Sequence, residues 1–268
     1  MPPLFEIRDV WFDYDGIPAL RGLSLDILQG ARVALLGANG SGKSTLLRLL
    51  DGLCIPSQGS IAFDTHLLTP ERLQDDAFAL PFRRRVAFVF QNPDVQLFNP
   101  TVFDEVAFAP LQMQWPKSQV LAKVEEALAF MDIAHLRDRP PYRLSGGEKK
   151  RVALASVLVL DPEVLLLDEP TSTLDPRSQS QIIDLIQQWK GSSRTVITAT
   201  HQLEIVEDIA DRIVVLEDGR LAAQGTPGEV LGDHELLLRA NLVHAHQHSH
   251  GGVVHSHSHI HSHSKHEH

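Results

Sequence analysis

Residues 37–45 read Gly-Ala-Asn-Gly-Ser-Gly-Lys-Ser-Thr, and the segments on either side of them decide the fold. Before them, residues 32–36 form an apolar run of strand character. After them, residues 45–53 place leucines at 46, 49, 50 and 53, the spacing of a helix face packed on a sheet. A strand that ends in a glycine-rich turn and reopens as a helix is a phosphate cradle. Gly37, Gly40 and Gly42 let the backbone turn its N–H groups inward, and Ala38, Asn39 and Ser41 complete the loop. The helix beginning near Ser44 adds its positive dipole end. Lys43 brings a point charge for β- and γ-phosphate oxygens, and Ser44 a hydroxyl ligand for Mg²⁺, supported by Thr45.

Two further strings belong with this loop. The four apolar residues 164–167 lead into Asp168-Glu169-Pro170. Such a run fits a strand of a parallel sheet buried on both faces. It delivers both acids to the carboxyl edge, where open α/β sheets bind ligands. There Asp168 suits Mg²⁺, through water, while Glu169 points to the other side of the backbone and is placed to take a proton from an attacking water.

The third string, Leu144-Ser145-Gly146-Gly147-Glu148, opens a helix expected to run through Leu160. Ser-x-x-Glu is a capping box. Two glycines in a first helical turn cost roughly 1 kcal/mol each, however, and make sense where the backbone closely approaches an anion such as a γ-phosphate. Both readings are compatible in a capped, positive helix end that faces a nucleotide held by a second protomer. A phosphate site completed within one chain has no use for this string.

At 268 residues the chain accommodates one α/β domain with a smaller lobe. With 43% hydrophobic and 22% charged residues it has the composition of an ordinary globule. No run approaches the ~20 apolar residues of a membrane span, and the N-terminus lacks a signal-peptide pattern, so a cytosolic chain is expected whose membrane role comes through a partner. The formal charge of -10 argues against nucleic acid or anionic lipid as partners. The single cysteine, Cys54, excludes an internal disulfide and reads as a packed thiol.

Along the chain, residues 4–12, 23–27, 59–64 and 86–90 are β-like, the last leading into Gln91. From about 92 to 160 the pattern turns helical, reading as a lobe inserted between strands. Within it, 118–136 is an amphipathic helix with Ser118 as cap and Val120, Leu121, Val124, Leu128 and Met131 on one side. Residues 195–200 form another buried strand, and 212–216 with 220–224 a closing hairpin around Asp218-Gly219. There are no internal repeats. A nucleotide-binding domain over 1–236 is expected, followed by a histidine-rich segment, 237–268, that does not fold alone.

These strings together resemble the ATP-binding cassette (ABC) ATPases over about residues 4–230. The resemblance implies an α/β fold: a P-loop NTPase core with a RecA-like, mostly parallel sheet, an N-terminal antiparallel β subdomain and an inserted α-helical lobe. Residues 144–148 match the signature motif, with Glu148 in place of the usual glutamine. Gln91 matches the glutamine that senses Mg²⁺ and the γ-phosphate, and His201 the switch histidine that contacts that phosphate. Ser172-Thr173-Leu174-Asp175 matches the D-loop, where alanine is more usual at 173. Tyr14 matches the aromatic residue on which adenine stacks, with simple edge packing as the lesser alternative. The segment VFQNPDVQLF at 89–98, with Thr101-Val102 and DEVAF at 104–108, is similar to the energy-coupling-factor type, in particular its cobalt/nickel uptake branch.

The resemblance implies an ATPase, with ATP and Mg²⁺, that forms a homodimer or pairs with a related ATPase. It would serve an integral membrane transport subunit and a substrate-binding membrane component from the cytoplasmic face of the inner membrane. ATP would bridge 37–45 of one chain to Ser145, Gly146 and Gly147 of the other. The expected cargo is a transition metal, cobalt or nickel, with a vitamin or amino acid as the alternative. A nickel metallochaperone GTPase would need an Asn/Thr-Lys-x-Asp motif, which is lacking. A soluble ABC protein of repair or translation would bring a coiled coil or second cassette.

Eleven of the fifteen histidines lie in 244–268: His244, His246, His248, His250, His255, His257, His259, His261, His263, His266 and His268. Neutral imidazoles suit Ni²⁺, Co²⁺ or Zn²⁺. Three readings remain side by side: metal buffering, an inert tail, and an added purification tail.

Overall fold

The computed structural model describes residues 2–243 with their side chains, and beyond them the backbone of Ala245–His250 and Val253–Ser258. β1 (Phe5–Tyr14) and β2 (Ile17–Ile27) pair antiparallel. β3 (Arg32–Leu36) enters the core and gives way at Gly37 to α1 (Lys43–Leu50). β4 (Gln58–Phe63) and β5 (His66–Leu67) return to the first pair, making an antiparallel sheet in the order β2-β1-β4-β5. Two helices, α2 (Pro70–Gln74) and α3 (Asp76–Arg85), lead to β6 (Val86–Val89). The lobe comes next as α4 (Val102–Gln112), α5 (Lys117–Phe130) and α6 (Gly146–Leu158). The chain then alternates through β7 (Val164–Asp168), α7 (Pro176–Gln188), β8 (Thr195–Ala199), α8 (Val206–Ile209) and β9 (Arg212–Glu217). It closes with β10 (Arg220–Gly225), α9 (Pro227–Leu231) and α10 (His234–Arg239).

The second sheet has the order β10-β9-β3-β8-β7-β6, parallel throughout except for β10. Its strands are apolar at successive positions because each face meets its own core. Leu35, Val164 and Leu166 pack with Leu46, Leu47, Leu49 and Leu50 of α1, between the two sheets. Leu36, Leu165 and Leu167 pack on the other side with Val106, Val124 and Leu154 of the lobe. This is the expected α/β architecture: a mostly parallel core, an antiparallel N-terminal sheet and a helical lobe inserted between β6 and β7. Among the described residues no helix is long and apolar enough to cross a membrane.

Three expectations about the helix over 118–136 are corrected. The helix predicted over 118–136 begins after Pro116, which occupies the cap position with φ -55, so Ser118 lies inside its first turn rather than capping it. It ends at Phe130, where Asp132 turns left-handed at φ 53, and a short 3₁₀ turn, Ala134–Leu136, comes after it. Leu121 lies on its exposed side, away from Val120, Val124 and Leu128. The packed chain also continues past 236: Leu237, Ala240 and Val243 are buried. Beyond that, the backbones of Ala245–His250 and Val253–Ser258 pair as an antiparallel ladder.

Candidate active site

Parallel strands bring the separated motifs to one edge. Leu35 of β3 and Asp168 of β7 both pair with Ala199 of β8, so residues 37–45, 168–169 and 200–201 leave the sheet in one row. β6, whose Val89 pairs with Leu167, adds Gln91 to the same edge.

The glycine loop is shaped by close backbone approach. Gly37 has φ 150, and a Cβ there would lie 2.3 Å from Leu216 O and 2.4 Å from Ser41 Oγ. Gly42, at φ 104, would place one 2.7 Å from Ala19 O. Only glycine fits either place. Lys43 is buried and its Nζ donates to Gly37 O at 2.7 Å and Ala38 O at 3.0 Å. Burial holds its ammonium below the usual lysine range, against the pull of Glu169 and Asp168. Ser41 Oγ is buried and has no hydrogen-bond partner.

The carboxylates are held differently from each other. Ser44 Oγ donates to Asp168 Oδ1 at 2.9 Å. Burial pushes the Asp168 carboxyl above the usual range; the Ser44 bond draws it back, and the charge of Glu169 raises it further. Glu169 takes the left-handed φ of 45, fixed by its N–H donating to Ala199 O at 2.9 Å and by Ser172 Oγ donating to its carbonyl at 2.9 Å. Strain of this kind persists where the surroundings over-determine it. The side chain is thereby aimed at His201, whose Nδ1 lies 2.8 Å from Oε1, while Thr200 Oγ1 donates to Oε2 at 3.3 Å. The contact between Glu169 and His201 was not legible in the sequence, because it depends on two strands stopping at the same height.

Tyr14, Asn39, Gly40, Gly42, Lys43, Ser44, Thr45, Gln91, Glu169 and His201 line one cleft of 600 Å³. Tyr14 stands at its exposed end, its hydroxyl accepting from Arg48 at 3.1 Å and its ring edge-on to Phe12. Ile17, Pro18 and Ala19 add an apolar wall that carries no motif and that sequence reasoning missed. The donors fit Mg²⁺: the Ser44 hydroxyl, the Asp168 carboxylate and the Gln91 amide are the oxygen ligands a small hard cation takes.

Ser145, Glu148 and Asp175 line a second cleft, of 360 Å³, with His135, Arg151, Arg177 and Ser178. The capping box is complete: Ser145 N–H donates to Glu148 Oε2 at 2.7 Å, and Glu148 N–H to Ser145 Oγ at 3.3 Å. Asp175 caps α7 through Ser178, accepting from its N–H at 3.1 Å and its hydroxyl at 2.7 Å, which keeps the carboxyl below the usual range. The two glycines have separate reasons. A Cβ on Gly147 would meet Ser178 Oγ at 2.7 Å, whereas one on Gly146 would meet nothing within 4 Å. Crowding inside the chain thus accounts for Gly147, a cause with no mark in the sequence, and leaves Gly146 unexplained within one chain. The structure brings together the residues of the first cleft and keeps those of the second apart from them.

The tail histidines from 244 onward lie outside the described side chains. Among the described residues no group of three or more His, Cys, Asp or Glu is placed to hold a metal ion.

Comparison with known proteins gives a consistent set of likenesses. The profile of the ABC transporter family matches residues 20–172. The chain is 56% identical over 246 residues to the nickel import ATP-binding protein NikO of Rhodobacter capsulatus, covering 91% of this chain and 97% of that protein. Among solved structures it resembles cbiO1 from Clostridium perfringens, part of the ABC transporter complex cbiONQ, with 38% identity and a TM-score of 0.75 over 90% of this chain and 96% of that one. It also resembles the dimeric, post-hydrolysis ATP-binding cassette MJ0796 bound to ADP and Pi, with 27% identity and a TM-score of 0.74 over 83% of this chain and 98% of that one.

Proposed function

The chain belongs to the ABC transporter family of ATP-binding proteins and is an ATPase, and from that premise we propose that it powers a membrane importer for a transition-metal ion, nickel or cobalt. It would work as a peripheral subunit on the cytoplasmic face of the inner membrane, docked on an integral membrane subunit that in turn serves a substrate-binding membrane component. The observation that carries the ATP-driven pairing in this reading is the separation of the expected site residues into two clefts of one chain. A complete site then requires a second cassette, identical or related, presenting Ser145, Gly146 and Gly147 to the nucleotide held by residues 37–45.

In this reading adenine stacks on Tyr14, the loop's N–H groups surround the phosphates, and Lys43 exchanges two backbone carbonyls for β- and γ-oxygens. Ser44, Asp168 and Gln91 would hold Mg²⁺, which neutralises charge on the phosphates when bound. Glu169, oriented by His201 and Thr200, takes the proton from the attacking water. Closing on ATP and opening after hydrolysis moves the loop after Gln91, an order change governed by the γ-phosphate. Val95 and Phe98 stand exposed on that loop, with Phe98 edge-on to Phe108 at 5.0 Å, an apolar seat suited to a helix of the membrane subunit.

The cargo rests on the likeness to NikO and on the histidine tail, read as a metal buffer beside the importer. Uptake of labelled nickel and cobalt by cells carrying the intact chain, a tail deletion after 243, or Glu169→Gln tests it. Glu169→Gln should abolish uptake, and the deletion should weaken it chiefly at scarce metal. Normal vitamin or amino-acid uptake lost with Glu169→Gln while metal uptake persisted would overturn the cargo.

A further inference from the structure

We propose that Lys150 is a positioning residue that fastens the Gln91 loop to the helix opening at Ser145, so that the two clefts of one chain are ordered together. The inference rests on the proposed reading of Ser145 as the half-site offered to a partner's nucleotide. Lys150 lies one turn into α6 and is 2% exposed. Its Nζ donates to Phe90 O at 2.8 Å and to Gln91 O at 3.0 Å. Among the described residues no carboxylate pairs with it directly; its hydrogen bonds go to two carbonyls of the loop, while the charges of Asp168 and Glu169 act on it from farther off. A buried ammonium is costly, and a packing role alone would be filled at lower cost by an apolar side chain.

Two neighbouring contacts fasten the same pair of segments. Lys149 Nζ donates to Asp94 Oδ1 at 2.7 Å. Gln96 Nε2 reaches back to Ala153 O at 2.9 Å and Ser156 Oγ at 3.2 Å on α6, while Gln96 Oε1 accepts from Phe90 N–H at 3.3 Å. The loop is therefore held to α6 at both its ends. Gln91 faces the cleft of its own chain, and Ser145 begins the helix to which Gln91 is tied. Whatever fixes Gln91 in place fixes the direction of the Ser145 helix end, and the converse holds equally, because coupling between two sites is reciprocal. Contact made by a membrane partner at Val95 and Phe98 would reach the second cleft through this tie.

The test uses the full chain in the Glu169→Gln background, where ATP should hold two protomers together, and measures the MgATP concentration for half-maximal dimerisation by light scattering. Nucleotide binding to the monomer, read with a fluorescent ATP analogue, and thermal unfolding are measured beside it. Adding Lys150→Met should raise the half-maximal concentration about tenfold or more, the loss expected for charge-assisted bonds, with monomer binding within about twofold. Lys150→Arg, which keeps the donors, should return it to within about threefold. Lys149→Ala with Gln96→Ala, on the half-exposed contacts, should give a smaller shift of about threefold and serves where Lys150→Met does not fold. Unchanged dimerisation with Lys150→Met, or with the Lys149/Gln96 pair where Lys150→Met cannot be purified, overturns the proposal. Equal loss with Lys150→Arg assigns the lysine to local packing and overturns it as well. If Glu169→Gln alone fails to dimerise with ATP, the shared-nucleotide reading falls instead, a result separable from the other two.

Discussion

The cleft at the carboxyl edge and the cleft beside Ser145 use their polar groups for opposite ends. In the first, Lys43 is held by the carbonyls of Gly37 and Ala38, Ser44 is paired with Asp168, and buried Glu169 is paired with the exposed ring of His201. Under the proposed function, each of those bonds gives way to, or aims at, a phosphate, a cation or a water. In the second, Ser145, Glu148 and Asp175 are committed to closing helix ends. Under that proposed function, the difference separates a surface that binds from a surface that is met. The first needs preorganised charge; the second needs a stiff helix end, an unobstructed approach at Gly146 and a fixed orientation.

Glu169→Gln is the largest expected break in that comparison. The amide keeps the shape of the side chain and its place beside His201 but takes no proton, so ATP hydrolysis should fall about a thousandfold while nucleotide binding is retained. A phosphate-release assay together with ATP-binding measurements reads both. Hydrolysis within tenfold of the unaltered chain would remove Glu169 as the base.

Gly146→Ala sharpens the contrast from the other side. Within one chain the added methyl meets nothing, and exchanging glycine for alanine in a helix gains up to about 1 kcal/mol. Melting temperature should therefore hold or rise. If a partner's nucleotide approaches this backbone, hydrolysis should nevertheless drop by about a hundredfold, the cost of misplacing a reacting group by about 1 Å. Gly147→Ala meets Ser178 Oγ and should lower melting temperature and hydrolysis together. A Gly146→Ala chain that is fully active would mean nothing comes close to Ser145 from outside.

Sequence and structure part company along the same line. The first cleft was legible because a glycine turn, a strand end and a pair of acids have fixed consequences for the backbone around them. Leu36, Asp168 and Ala199 end parallel strands, so the loops leaving those three ends have to meet. The Glu169–His201 contact and the Lys150 tie join segments remote in sequence, and no local pattern marks them. Pro116 and Asp132 set the limits of α5 more strongly than the apolar spacing that suggested a longer helix. For the second cleft, the capping box was visible in the string itself, while the reason for Gly147 lay in Ser178, on another helix.

Tyr14→Ala probes the open end of the first cleft with a smaller effect. Its hydroxyl accepts from Arg48, so the ring is held in place before any base arrives. Base stacking on an aromatic ring contributes about 1–3 kcal/mol, so KM for ATP should rise about tenfold with kcat little changed. Loss of kcat at constant KM would instead assign Tyr14 to packing against Phe12.

Glu148→Gln should have the least effect, and its smallness is informative. Either side chain offers an oxygen to the Ser145 N–H, so at pH 7 stability should stay within about 0.5 kcal/mol and hydrolysis within about twofold. The two chains part only in acid. The Ser145 N–H holds the Glu148 carboxyl below the usual glutamate range. A carboxylate whose folded pKa is depressed contributes its stability above the unfolded value of about 4.3 and loses it as pH falls through the folded value. The glutamine chain has no such group to protonate. The melting-temperature difference between the two should therefore be flat from pH 8 to about 5 and shift toward the glutamine chain below about 4. A tenfold change in hydrolysis at pH 7 would instead show that Glu148 reaches past its own helix to the partner's nucleotide, and that the second cleft contributes charge as well as shape.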